Sequence, residues 1–232
     1  PAVPGVQTYY RVCGISLDGR EGPMSDPLSA TAFEPNAKPI LDLRFDGTDS
    51  ATKVTTTQED GVPCVRTGSD PFVAVPNQDA FNTGGEIAVL FWVKLASPGV
   101  MPVFVSHGMW NADGVFVQYH NSAIRFFLGD VGTLDAGSLK LGEWTAMAAT
   151  YDGAEMALYI NGKKVGSTPA SGIINPCNRL LYVGRYENES KDFHVDGWMG
   201  GVRMYAYAVT PEVIQAHYEE MKSHMVPIGA AK

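Results

Sequence analysis

The chain consists of short stretches in which apolar and polar residues alternate, and Gly, Pro, Asn and Asp separate these stretches at short intervals. Alternation with a period of two is typical of strands that have one buried face, so the pattern favours antiparallel strands over helices. The predicted strands cover residues 40–45, 71–75, 87–95, 102–106, 115–119, 123–128, 144–151, 155–160, 180–184 and 201–207. This number of strands predicts an all-β protein, an antiparallel β-sandwich.

Two local signals add a hairpin and a helix to this sandwich. Asn161-Gly162 predicts a type I′ turn, because both central residues of such a turn need positive φ. Residues 155–160 should therefore pair with the segment after the turn. Near the end of the chain, Thr210 can cap a helix and Pro211 suits its first position, and apolar residues follow at helical spacing. We expect one short C-terminal helix that lies against the sandwich.

The composition argues against several classes of partner. The 25 acidic and 17 basic residues give a net charge of −8, and Lys and Arg form no cluster, so nucleic acid and anionic membranes are poor partners. The longest apolar runs, such as residues 87–92, are too short to cross a bilayer. The three cysteines, Cys13, Cys64 and Cys177, allow at most one disulfide. We expect buried thiols rather than a bridge between Cys64 and Cys177.

A group of motifs follows one order between residues 41 and 205. Its central members are Gly142-Glu143-Trp144, Thr150-Tyr151-Asp152-Gly153 and Leu158-Tyr159-Ile160-Asn161-Gly162-Lys163. Flanking members are residues 41–46, 73–76, 91–94, 181–184 and 201–205. In order and spacing these motifs resemble the laminin-G-like domains of the concanavalin A-like superfamily. The resemblance implies a jelly-roll sandwich and places Trp92 and Trp144 in its core.

The segment before these motifs resembles a different module. Residues 9–12 and 18–25 are similar to the last two strands of a fibronectin type III domain. The expected layout is a partial type III-like hairpin at 1–33, a linker at 34–37, a laminin-G-like domain at 38–225 and a tail at 226–232. This layout indicates a piece of a longer protein with upstream domains, secreted or at the cell surface.

Enzymes with this fold exist, so the resemblance makes catalytic residues a possibility to be examined. Retaining glycoside hydrolases of this superfamily carry two carboxylates on one strand, whereas Glu187, Glu189 and Asp192 stand in a polar loop. The alginate-lyase branch needs a Gln-x-His pair, an Arg-rich strand and a Tyr on a neighbouring strand. Gln118 and His120 offer the pair, but the partner motifs are missing. We therefore expect no enzyme activity, and a hydrolase or lyase is the least favoured alternative.

The resemblance also implies that a structural calcium ion could bind. Many members of the family hold one ion with oxygen ligands between the end of the first strand and the last strand. Asp46 follows the first predicted strand, and Asp196 could contribute from a later turn. The family's Asp-Glu pair is replaced here by Gly200-Gly201, which removes a side-chain ligand. A calcium ion at Asp46 and Asp196 is the hypothesis, and an ordinary turn carboxylate at Asp46 is the alternative.

A sugar site needs an aromatic surface beside polar groups that can pair with hydroxyls. Trp110 is the first candidate, because it stands in a polar loop and has no periodic reason to be buried. The next strand places Phe116, Gln118 and His120 on one face. The full predicted set is Trp110, His107, Asn111, Gln118, His120, Arg125, Arg185 and Tyr186.

These observations together predict a non-catalytic carbohydrate-binding module of a secreted, glycan-degrading protein, with a polysaccharide or glycan as partner. A module of this kind would act by holding its parent protein on a repetitive glycan. The alternative from another class is a structural or protein-binding adhesion module, since fold alone does not separate the two.

Overall fold

The structure, a computed structural model, describes residues 7–10, 28–31, 38–49, 54–68, 73–187 and 190–225. The chain divides into two compact units, 1–38 and 39–232. In the first unit, β1 (Gln7–Tyr10) and β2 (Leu28–Thr31) pair antiparallel. The predicted linker at 34–37, the tail at 226–232 and most of the predicted hairpin lie outside the described residues. The assignment of this unit to a fibronectin type III domain stays a prediction.

The second unit is an antiparallel sandwich of two sheets. Its strands are β3 (Leu41–Leu43), β4 (Thr57–Glu59), β5 (Val62–Thr67), β6 (Val73–Val75), β7 (Ile87–Leu95), β8 (Val103–Met109), β9 (Asp113–His120), β10 (Ala123–Leu128), β11 (Gly132–Ala136), β12 (Trp144–Tyr151), β13 (Glu155–Ile160), β14 (Lys163–Pro169), β15 (Leu181–Val183) and β16 (Gly197–Tyr205). The six-stranded sheet has the order β11-β10-β9-β8-β15-β6. The eight-stranded sheet has the order β14-β13-β12-β7-β16-β5-β4, and β3 pairs with β16. The predicted fold class is confirmed.

The core lies between the two sheets and follows the alternation of the sequence. Val89 and Phe91 of β7 meet Val117 of β9 and Phe126 of β10 in one buried cluster. Because neighbouring residues of a strand point to opposite faces, Phe116 is left on the outer face of the six-stranded sheet. That outer face carries the site described below.

A helix covers the outer face of the eight-stranded sheet, as the sequence predicts. Helix α1 (Pro211–Lys222) begins after Thr210 with Pro at its first turn. Tyr218 stacks on Trp92 with ring centroids 5.7 Å apart and an interplanar angle of 2°. Ile214 and Met221 are buried against the same sheet. Since α1 covers this face, Trp92 is fully buried, as expected of a structural residue. Among the described residues, no helix is long and apolar enough to cross a membrane.

The hairpin and thiol predictions are also confirmed. Asn161 and Gly162 have φ of 49° and 78°, and they join β13 to β14 in an antiparallel pair. Cys64 and Cys177 are free and buried, and burial raises the pKa of the Cys64 thiol to about 11. Cys13 lies outside the described residues.

Candidate functional site

A cavity of about 310 Å³ opens on the outer face of the six-stranded sheet. It is lined by Met101, Trp110, Phe116, Gln118, His120, Arg125, Tyr186 and Phe193. We call it the Trp110 cavity. The structure thus brings together five of the predicted residues: Trp110, Gln118, His120, Arg125 and Tyr186. Their contact with a ligand stays a prediction.

Strand β9 contributes three residues to the cavity, because every second side chain of a strand points to the same face. Phe116, Gln118 and His120 face the cavity, while Val115 and Val117 fill the core. In the neighbouring strand β10, Arg125 lies directly opposite Gln118. Cross-strand neighbours of this kind stand side by side on one face of a sheet. The local pairing of two strands therefore assembles the polar part of the cavity.

Trp110 stands in the short connection between β8 and β9. Its backbone N–H donates a hydrogen bond of 2.5 Å to the hydroxyl of Tyr186. The N–H of Met109 donates to the carboxylate of Asp113 at 2.8 Å. Asn111 has a φ of 61°, a left-handed conformation that Asn tolerates better than most residues. These contacts fix the turn while the indole stays 47% exposed.

Aromatic rings form the floor of the cavity. Phe116 and Phe127 stack with centroids 4.6 Å apart and an angle of 18°. Trp110 leans on Phe127 at 5.0 Å, and the edge of Tyr186 meets Phe116 at 5.8 Å. Phe193 packs against Tyr186 at 5.4 Å. The rings thus pack against one another at tilted, edge-on and stacked angles, which aromatic pairs prefer.

The charge of Arg125 is offset within the site. Its guanidinium donates two hydrogen bonds of 2.7 Å to the carboxylate of Asp135 on β11. The hydrogen bond from Arg125 lowers the pKa of Asp135. The guanidinium also lies 5.2 Å from the ring centroid of Trp110, a cation–π contact. The imidazole of His120 lines the cavity, and its Nδ1 atom is buried and has no hydrogen-bond partner among the described residues.

The structure corrects the prediction for His107. This residue is 1% exposed and lies away from the cavity. Its Nε2 is 2.9 Å from the amide oxygen of Asn77, and its ring nitrogens are 3.4 and 3.5 Å from the sulfur of Cys177. Burial lowers the pKa of His107 and raises the pKa of the Cys177 thiol. The pair is therefore neutral and closed off from ligand.

Two further predicted residues lie outside the Trp110 cavity. Arg185 is 8% exposed, donates to the carbonyl oxygen of Tyr186 at 3.0 Å, and stands over the ring of Tyr182. It is a packing residue because its charged head is turned into the protein. Asn111 is exposed, but it lines a neighbouring depression rather than the cavity.

Three residues at the site are not among those predicted from the sequence. Met101 precedes β8, and Phe193 ends a short 3-10 turn, Lys191–Phe193. Asp135 lies on β11, a strand that the sequence pattern does not predict. An aromatic residue in a polar loop is the signal that identified Trp110, and the same signal applies to Phe193.

The acidic residues considered for catalysis do not form a pair at the cavity. The carboxylate of Glu187 is 2.6 Å from the guanidinium of Arg179. Glu189 lies outside the described residues, and Asp192 does not line the Trp110 cavity.

The residues considered for calcium are bound to protein groups. Asp46 accepts hydrogen bonds from the N–H and hydroxyl of Thr48 at 2.9 and 2.5 Å. Asp196 pairs with Arg66 at 2.7 Å and with the hydroxyl of Ser97 at 2.9 Å. Within the described ranges, no cluster of three or more His, Cys, Asp or Glu residues could hold a metal ion. The calcium ion stays a prediction.

The glycines that replace the acidic pair of the family have a packing role. A β-carbon on Gly200 would lie 3.0 Å from the β-carbon of Trp92 and 3.4 Å from the terminal methyl of Met221. Helix α1 carries Met221, so a larger residue at this position would crowd the helix against the sheet.

Fold and site together define a lectin-like β-sandwich with an aromatic cavity on one face. A profile of the Concanavalin A-like lectin/glucanases superfamily, Laminin_G_3, matches residues 67–215. The chain therefore belongs to this family, as the motifs of the sequence imply. No curated protein matches the sequence.

Solved structures share this fold at low sequence identity. The binding domain of Paraclostridial Mosquitocidal Protein 1 is 14% identical, with a TM-score of 0.56 over 74% of this chain and 46% of that chain. The binding domain of botulinum neurotoxin DC, solved in complex with SialylT, is 13% identical, with a TM-score of 0.58 over 81% of this chain and 52% of that chain. The chain thus spans about half the length of these two structures.

A third similar structure matches most of its own length. Domain 4 of an extracellular GH43 arabinanase from Geobacillus stearothermophilus, solved with arabinotriose, is 17% identical, with a TM-score of 0.52 over 75% of this chain and 84% of that chain. At such identities these likenesses establish the fold, and the function has to be argued from the site.

Proposed function

We propose that this chain is a non-catalytic carbohydrate-binding module and that its binding site is the Trp110 cavity. The observation that carries the proposal is the half-exposed indole of Trp110, held rigidly over an aromatic floor beside Gln118, His120 and Arg125. A sugar ring has an apolar C–H face and a rim of hydroxyls, and this cavity offers a surface for each.

The polar groups suit an uncharged sugar. Asp135 offsets the charge of Arg125, so the guanidinium can donate to hydroxyls without attracting anions strongly. The imidazole of His120 and the amide of Gln118 both line the cavity, and each can pair with a hydroxyl. Satisfying these groups offsets the cost of stripping water from the sugar.

Two observations support binding without catalysis. The acidic residue bonded to the cavity, Asp135, is engaged by both hydrogen bonds of Arg125. Tyr186 accepts a hydrogen bond from the backbone of Trp110, and burial raises its pKa. A general base needs a pKa near the working pH, and this tyrosine is shifted away from it.

Two of the similar structures were solved in complex with ligands, which supports the proposed binding role. One is an arabinanase domain solved with arabinotriose, and another is a toxin binding domain solved with SialylT. We infer that this chain is an accessory domain of a secreted, glycan-degrading protein. Holding the parent protein on a repetitive glycan raises its local concentration there, so weak affinity suffices.

The proposal is tested with a glycan array, followed by affinity electrophoresis on the polysaccharides that the array identifies. Wild type is compared with Trp110→Ala and with Trp198→Ala. Trp198 lies on the eight-stranded sheet beside Arg66 and Lys94, so its variant controls for the loss of a tryptophan. Runs with calcium and with EDTA test the proposed calcium ion at Asp46 and Asp196.

We expect Trp110→Ala to weaken glycan binding about tenfold or more, because truncating an anchoring tryptophan costs about 2 kcal/mol or more. Trp198→Ala should bind like wild type. Equal binding by wild type and Trp110→Ala would place the sugar elsewhere. Absence of binding to every glycan would favour the structural or adhesion alternative.

A further inference from the structure

Trp110 is a wall shared by two depressions. On one side is the Trp110 cavity of about 310 Å³. On the other side is a depression of about 320 Å³, which we call the Asp130 groove. Trp110, Asn111, Phe127, Asp130 and Thr133 are among the residues that line the Asp130 groove. One exposed indole thus borders two spaces of similar size.

The two spaces differ in chemistry. Aromatic rings and the polar groups of Gln118, His120 and Arg125 line the Trp110 cavity. The Asp130 groove combines an apolar surface with three polar side chains at its exposed positions. Asn111, Asp130 and Thr133 are all exposed there, and hydrogen bonds between these side chains and other described residues are absent. Their amide, carboxylate and hydroxyl groups are therefore free to pair with the hydroxyls of a sugar.

Hydrogen bonds hold the two walls of the Asp130 groove together. One wall is the connection that carries Trp110 and Asn111, and the other is the turn at Asp130. The N–H of Gly129 donates to the carbonyl of Gly114 at 2.9 Å. The side-chain amide of Asn175 donates to the carbonyl of Ala112 at 3.1 Å, and its backbone N–H donates to Gly129 at 3.2 Å. These hydrogen bonds therefore tie the two walls of the groove to each other.

We propose that the ligand is an oligosaccharide segment of at least two linked units that crosses Trp110, with one unit in the Trp110 cavity and the next in the Asp130 groove. This inference rests on the proposed function. A site for chain ends alone would be closed beyond the first unit, whereas here a second space continues past the indole. The site therefore has room for linked units rather than for a single terminal one.

The test measures affinity by isothermal titration against size ladders of arabino-, xylo- and gluco-oligosaccharides, from monosaccharide to hexasaccharide. Thr133→Arg fills the Asp130 groove from an exposed strand position and leaves the Trp110 cavity intact. Asp130→Gly removes a carboxylate at a φ of 60°, which glycine adopts without strain. Thr57→Arg makes the same change as Thr133→Arg on an exposed position of the eight-stranded sheet.

We expect the affinity of wild type to rise about tenfold from the monosaccharide to the trisaccharide, the size of one further set of contacts. Thr133→Arg should abolish this rise, Asp130→Gly should reduce it, and Thr57→Arg should keep it. Equal affinity for all lengths, or a rise that survives Thr133→Arg, would overturn the two-unit site and leave the proposed function standing. Absence of binding to every ladder and to every glycan of the array would overturn both.

Discussion

The backbone N–H of Trp110 donates a hydrogen bond to the side-chain hydroxyl of Tyr186 at 2.5 Å. This bond joins the turn between β8 and β9 to the loop after β15, two segments far apart in the sequence. Burial raises the pKa of Tyr186, so its hydroxyl stays protonated and neutral. The orientation of the Trp110 indole therefore depends on Tyr186, which also lines the Trp110 cavity.

Tyr186→Phe tests this dependence. The variant keeps the ring in the aromatic floor and removes the acceptor, which leaves the N–H of Trp110 unpaired. We expect a loss of about 1 kcal/mol in the free energy of unfolding and a severalfold weaker affinity for glycan. Thermal denaturation and isothermal titration measure the two effects. Tyr159→Phe, on the eight-stranded sheet, is the matched control, and equal behaviour of the two variants would contradict the positioning role.

The sequence predicts strands best where most of their residues are buried. Strands β7, β10, β12 and β13 begin and end where the sequence pattern places them. Strands β4 and β11 escape prediction because they are edge strands with mostly exposed polar residues, so no apolar alternation marks them. In β5, Pro63 and Arg66 interrupt the pattern.

The site residues likewise differ in how far the local sequence predicts their positions. Phe116, Gln118 and His120 share a face because of the strand period, which the sequence alone provides. His107 belongs to a strand as well, but its burial depends on Asn77 and Cys177. These residues are distant in sequence, so no local pattern reveals their contact. The strand period therefore predicts which side chains share a face, and their contact with a ligand stays a prediction, whereas the burial of His107 has no local signal.

The pairing of Arg125 with Asp135 predicts a preference for neutral sugars. Because the guanidinium is already offset, affinity for a neutral oligosaccharide should change less than about twofold between low and high salt. Asp135→Asn should free the cation and raise affinity for oligogalacturonate, with strong salt dependence. Isothermal titration at two salt concentrations measures both effects.

A matched control for this prediction lies on the other sheet. Glu155→Gln frees Lys164 from its ion pair and makes the same change in net charge as Asp135→Asn. If Glu155→Gln raised oligogalacturonate binding equally, the effect would come from overall charge. If neither variant did so, Arg125 would have no part in ligand contact.

Gly114 is predicted to be irreplaceable in the hairpin that carries Trp110. Its φ is 68°, and a β-carbon there would collide with the carbonyl oxygen of His107 and lie 2.7 Å from the α-carbon of Gly108. Both neighbours are backbone, which has little room to move. We expect Gly114→Ala to lower the free energy of unfolding by about 3 kcal/mol or more. Denaturant titration measures the loss.

The variant Gly142→Ala is the control that distinguishes the cost of backbone strain from the cost of a steric collision. Its φ of 75° is similar, but a β-carbon there meets no atom within 4 Å. Gly142→Ala should therefore cost only about 1 kcal/mol, the conformational part of the penalty. Equal losses in the two alanine variants would show that the collision at His107 relaxes at little cost.

His217 lies buried on α1, close to charged side chains of β16, of β3 and of α1 itself. Arg203 of β16 donates to its Nδ1 at 3.3 Å, and also pairs with Glu220 of α1 and Asp42 of β3. Burial, followed by the charge of Arg203, lowers the pKa of His217 from 6.5 to about 4. The imidazole therefore stays neutral in the folded protein while the unfolded chain already binds a proton.

This difference fixes the sign of the pH dependence. Between pH 6.5 and about 4 the unfolded state binds more protons, so stability falls as the pH falls through this window. A shift of this size corresponds to about 3 kcal/mol. His217→Gln keeps an acceptor for Arg203 and should flatten the dependence, whereas His224→Gln, at an exposed position, should keep it. Urea unfolding at a series of pH values measures the slopes, and identical slopes for wild type and His217→Gln would contradict the assignment.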